Sequence, residues 1–150
     1  MGYFSKFNRL SFREKLLFLE ALGYLYLAKL MLMLFPFRWC LRLMREKGTM
    51  DHRPSQEELL LVKRAVGRAN RLAFWKNVCL VQSVAARWML RRRKFHSEVF
   101  FGVKSGEESS PIMAHAWVVS HGMEVVNQGG VFEILLKVSC LFCCIMHIAY

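Results

Sequence analysis

The period of apolar residues changes near residue 96, from helical spacing before it to alternation after it. A helix is expected from about Phe12 to Leu34. Ser11-Phe12-Arg13-Glu14 has the form of a capping box, with the serine hydroxyl accepting from the third amide and the glutamate reaching back. Pro36 ends this helix. A shorter one is expected from Phe37 to Lys47, stopped by Gly48, with Arg38, Arg42 and Arg45 at helical spacing. Gly48–Pro54 reads as a linker. Ser55-Gln56-Glu57-Glu58 is a second capping box, opening a helix to about Leu72. Leu59, Val62, Val66 and Ala69 mark one face of it, and Arg64, Arg68 and Arg71 another. Asn77 is suited to cap a fourth helix, beginning at Val78 or Cys79 and running to about Arg92. Apolar positions cover much of its circumference, which predicts burial, and the run Arg91–Lys94 complements the dipole at its C-terminus.

Beyond His96 the alternation predicts strands at Ser97–Val103, Ile112–Val119 and Met123–Val126. A loop, Lys104–Pro111, and a tight turn, Ser120-His121-Gly122, separate them. After the Gln128-Gly129-Gly130 turn, Val131–Tyr150 is strongly apolar and fits a strand followed by a buried helix, which the pattern leaves open. The expected fold class is α+β, with residues 1–50 a helical N-terminal region and residues 55–150 the main domain.

Composition narrows the functional classes. With 55% hydrophobic and 13% aromatic residues the chain is not a disordered one. A net charge of +11 favours an acidic partner: nucleic acid, an anionic membrane surface or an acidic peptide. Nucleic acid is not expected, because no basic-aromatic interleaving or nucleic-acid motif accompanies the charge. The apolar stretch Leu16–Phe37 is interrupted by Glu20 and Lys29. Each would cost about 2.5–3.5 kcal/mol at mid-bilayer, so a buried or membrane-surface helix is preferred over a span. The five cysteines are odd in number and unevenly spaced, and no secretory signal pattern is evident. Free thiols in a reducing cytoplasm are expected, with peripheral membrane contact as an addition. Cys140-x-x-Cys143 and Cys144-x-x-His147 have metal-ligand spacing, but they lack a second pair and have apolar flanks. Buried thiols are the expected state there, and neither metal nor organic cofactor is expected.

Three residues carry the candidate chemistry. Cys79 falls at a helix N-terminus, where the dipole and free amides stabilise a thiolate nucleophile. Taken alone it is more often a small buried hydrophobe. His115 sits in the apolar strand Ala114-His115-Ala116-Trp117-Val118-Val119, either as a hydrogen-bonded core residue or as a base. Asn127 ends the next strand, where pairing across the turn would bring it to the start of the His115 strand. Its amide oxygen could hold the imidazole tautomer, or it could be an ordinary turn residue.

The blocks CLVQSVAARWMLRRRKF, FFGVKSG and AHAWVVSHGMEVVN, in that order, resemble the protease half of the lasso-peptide biosynthesis B proteins. The N-terminal EAL…LAKL…LFPFRW also resembles the helical region that precedes that core. The resemblance implies a transglutaminase-like, papain-related core in which a nucleophile helix packs on a small antiparallel sheet. It implies a cysteine peptidase that cuts the leader from a ribosomally made precursor peptide. A separate leader-recognition protein would deliver that substrate, and an asparagine-synthetase-like cyclase would close the macrolactam afterwards. Carried over position by position, Cys79 is the nucleophile, His115 the base and Asn127 the third residue, where the family usually has aspartate. Two rival readings are an acyl transfer to an amine on the same fold, and a non-catalytic membrane-associated scaffold.

Overall fold

The computed structural model describes residues 10–44, 52–75, 78–104 and 113–139. Among these residues, helices α1 (Phe12–Leu34), α2 (Phe37–Met44), α3 (Gln56–Leu72) and α4 (Cys79–Arg92) precede all the strands. Strands β1 (Glu98–Lys104), β2 (Met113–Ser120), β3 (Met123–Val126) and β4 (Glu133–Ser139) follow. This is the expected α+β class.

Local chemistry sets most helix boundaries. Both capping boxes form, with Glu14 N–H donating to Ser11 Oγ at 3.3 Å and Glu58 N–H to Ser55 Oγ at 3.2 Å. The cap of α4 differs from expectation. Val78 is the N-cap and contributes no side-chain hydrogen bond, while Asn77 lies outside the described residues. At the other end of α4, Phe95 N–H donates to Leu90 O and Lys94 N–H to Arg91 O, with Lys94 at φ 57°. This is a Schellman closure with lysine in the left-handed position usually taken by glycine.

Helix α1 is long and apolar enough to cross a membrane by length and composition, yet one of its faces is packed. Leu17, Phe18, Ala21, Leu25, Ala28 and Met31 are buried, and α1 lies against both α3 and α4. Its other face leaves Leu16, Leu19, Leu27, Leu30 and Met33 exposed. One continuous core joins these α1 residues to Val62 and Val66 of α3, Val84 and Met89 of α4, and Val99, Val118 and Val138 of the sheet. The helical N-terminal region therefore shares its core with the segment 55–150.

The sheet is antiparallel throughout, in the order β3-β2-β1-β4. The β2–β3 turn has His121 at φ 47° and Gly122 at φ 78°, the two positive values that a two-residue type I′ hairpin requires. In the apolar tail, Glu133–Ser139 forms β4 and pairs with β1, at the sheet edge away from β3. The possible helix beyond it and the cysteines at 140, 143 and 144 lie outside the described residues. Likewise, α2 is described only to Met44, so the expected end at Lys47 and Arg45 lie outside them.

A buried arginine joins helices to sheet. Arg87 of α4 is 2% exposed; Nη2 donates to Met44 O at 2.8 Å, and Nη1 donates to Ser97 O and, at 3.2 Å, to Ser97 Oγ. It thus links the end of α2 to the residue just before β1.

His96, next to this link, gives a pH dependence. Burial pushes its imidazole below the ordinary 6.5; Glu98 acts the other way, and His121, Arg87 and Lys137 act with burial. The folded chain then takes up this proton at a lower pH than the unfolded chain does. Just below pH 6.5, the unfolded state binds more protons, so this contribution is complete above that value and is lost on acidification. We expect denaturation midpoints to fall as pH drops from neutrality through this window, and His96→Phe to flatten the profile. An unchanged profile in the variant would remove His96 as the cause.

Candidate functional site

Cys79 is the first residue of α4 and is partly exposed. Because Val78 supplies no side-chain cap, the first-turn amides of α4 have no competing side-chain acceptor from the N-cap. A thiolate or an acyl oxyanion formed at Cys79 would lie against these donors and the positive end of the helix dipole. Gln82, one turn further on, lines the same cleft and offers a side-chain amide. Its spacing of three from Cys79 was the signal available in the sequence.

The cleft has a volume of about 770 Å³, and Cys79, His115 and Asn127 all line it. Cys79 reaches it from the helical side, and His115 from the beginning of β2. β3 has only four residues and stops at Val126, so the start of β2 is left uncovered at that end. No hydrogen bond joins the thiol to the imidazole, and such contacts often tighten only when substrate binds.

His115 Nε2 lies 2.9 Å from the main-chain oxygen of Asn127. A carbonyl can only accept, so Nε2 carries the hydrogen, and a neutral ring keeps its lone pair on Nδ1. The expectation placed the Asn127 amide side chain in this role. Instead Asn127 is exposed, and its backbone engages the ring. Glu124, the nearby carboxylate, is also exposed and accepts from Gln128 N–H at 3.3 Å.

Aromatic packing fixes the imidazole plane. The ring stacks on Phe132 at 5.1 Å and 25°, and on Trp117 at 6.1 Å and 15°; Trp117 in turn stacks on Phe100 at 5.5 Å. This layer occupies the sheet face turned away from the helices, because Val99 and Val118, of opposite parity, belong to the helical core; to meet the thiol the ring must turn about its Cα–Cβ bond at the uncovered start of β2. Gly102 pairs with His115 across β1–β2 and makes room for the layer. A Cβ there would stand 2.8 Å from Glu133 O, 2.9 Å from Phe132 Cβ and 3.0 Å from Trp117 Cη2. Two of these contacts are backbone or Cβ atoms of the chain leading into β4, so relief requires moving that segment. We expect Gly102→Ala to cost about 1–3 kcal/mol, the range for overpacking, and to shift tryptophan fluorescence. Wild-type stability in the variant would show that the segment yields freely.

An antiparallel sheet backed by a helix that a cysteine opens, with a histidine on the neighbouring strand, is the architecture of a thiol acyl-transfer fold. The sequence profile of the transglutaminase-like superfamily matches residues 23–133, and the chain belongs to that superfamily. The superfamily includes cysteine proteases and transglutaminases, and its members are usually catalytic. The match begins within α1 and ends at the first residue of β4, so it takes in α2 to α4 and strands β1 to β3. No curated protein and no solved structure matches the chain.

Proposed function

We propose that the chain is a cysteine peptidase that removes the leader from a lasso-peptide precursor before the macrolactam is closed. The observation that carries this reading is a single cleft lined by Cys79 at a helix start and by an imidazole whose Nε2 is held by a carbonyl. With the ring turned toward the helical side at the uncovered start of β2, His115 Nδ1 takes the thiol proton. The sulfur attacks the scissile carbonyl, and the oxyanion is held by first-turn amides of α4. The C–N bond breaks as His115 protonates the leaving amine, which frees the amino terminus of the core. Water, deprotonated by the imidazole, then releases the leader as its carboxylic acid and restores the thiol.

The lasso assignment rests on the sequence blocks quoted above. It brings as partners a precursor peptide, a separate leader-recognition protein and an asparagine-synthetase-like cyclase, in the cytoplasm. The exposed apolar side of α1 and the exposed Arg38 and Arg42 of α2 support peripheral membrane contact. The test is incubation with precursor peptide, with and without the leader-recognition protein, followed by product mass. Free leader acid plus core amine is the expected outcome. A leader–amine adduct would transfer the reading to acyl transfer. An intact precursor with the partner present would overturn both enzymatic readings and leave the scaffold.

A further inference from the structure

The wall of the cleft opposite β2 and β3 is a basic helix face. Lys63, Arg64, Arg68 and Arg71 of α3 all line it, and among the described residues none that lines it is acidic. Elsewhere in the helical layer several cations are matched: Arg13 with Glu58, and Arg92 and Arg93 with Glu20. Within the wall, Arg68 is matched with Glu14 at 3.0 Å. Lys63, Arg64 and Arg71 have no ion-pair partner among the described residues, and both arginines are exposed. The other wall is apolar at Met113, Ala114, Val125 and Val126 and polar at His115 and Asn127. The cleft is therefore asymmetric, with a row of cations on one side and mainly hydrocarbon on the other.

We infer that the α3 wall is an acid-selecting subsite, and that the peptide segment it takes carries carboxylate side chains facing α3. This rests on the peptidase reading for its substrate and deepens it to a substrate class. At about 1.5 Å of rise per residue, Arg64 to Arg71 spans about 10 Å, the length of roughly three residues of extended peptide. Successive side chains of such a peptide point to opposite sides, so acidic residues in alternate positions face the arginines while apolar ones face Met113 and Val126. A peptide fits this asymmetry better than nucleic acid, which would leave the apolar wall unused.

The test reads binding separately from cleavage. The probes are two fluorescein-labelled extended peptides of roughly ten residues, identical except that alternate glutamates in one are glutamines in the other. Anisotropy is measured at about 0.15 M salt, and each peptide is also used to protect Cys79 from iodoacetamide, read by peptide mass. The glutamate peptide should bind about tenfold tighter and slow alkylation of Cys79. Arg64→Glu/Arg71→Glu should erase that preference, and the milder Arg64→Gln/Arg71→Gln should reduce it. Arg38→Glu/Arg42→Glu makes the same charge change on α2, away from the cleft, and should keep it. Equal binding of both peptides, or equal weakening by the α2 and α3 reversals, overturns the subsite. Failure of the peptidase reading has a different signature: the binding preference is present, but no peptide or precursor is cut.

Discussion

Cys79→Ala is expected to lower precursor cleavage by at least about a thousandfold, with the folded state intact. Loss of a nucleophile that acts as a unit with its base removes essentially all covalent catalysis. The residue is partly exposed and opens its helix without a side-chain cap, so a smaller side chain leaves little cavity. His115→Ala should be about as severe, since the proposed mechanism gives thiol and imidazole the same step. Asn127→Ala should stay within about threefold of wild type, because the atom that meets Nε2 belongs to the backbone and survives the substitution. Measuring kcat/KM for the three variants decides the matter. If Asn127→Ala is as damaging as His115→Ala, the side-chain amide orients the ring. Unimpaired cleavage by Cys79→Ala would sink the thiol mechanism.

Arg87→Met is expected to give the largest loss of stability, about 3–5 kcal/mol. It leaves Met44 O and the Ser97 oxygens without their donor in a buried setting, at about 1–3 kcal/mol for each stranded group. For a chain of this size that corresponds to a fall in Tm of roughly 10–15 °C. Lysine should not rescue it, since a point charge cannot span two carbonyls in different elements as a guanidinium fork does. Arg92→Met is the control: its ion pair with Glu20 is 65% exposed on the arginine side, and such pairs contribute about 0–1 kcal/mol. Denaturant midpoints would show the contrast, and equal losses in Arg87→Met and Arg92→Met would contradict the linking role.

What the sequence made legible followed range of interaction. Ser11 with Glu14, and Ser55 with Glu58, state their capping boxes within four residues, and both helices begin where those boxes place them. The His121-Gly122 turn is equally local. The position of β4 was not legible, because its partner is β1, some thirty residues earlier, and an apolar stretch names no partner. Gly102 was read only as part of a strand motif; its need for space appears once Trp117 and Phe132 converge on it. The orienting atom at Asn127 was out of reach for another reason: every residue carries a main-chain carbonyl, so residue identity says nothing about its use. The arginines of α3 were visible as a face, but what they face depends on α3 lying beside the start of α4.

The shared core has a consequence for synthesis of the chain. Strand β1 pairs on one side with β2 and on the other with β4, and α1 packs on α4 more than forty residues away. Pairings this distant in sequence form late and together, after long loops have closed. A ribosome-bound chain that has exposed Cys79 and even His115 still lacks β4, the strand that flanks β1. The cleft should therefore take shape in one step once β4 has emerged, so shorter nascent chains would carry Cys79 and His115 without a closed sheet.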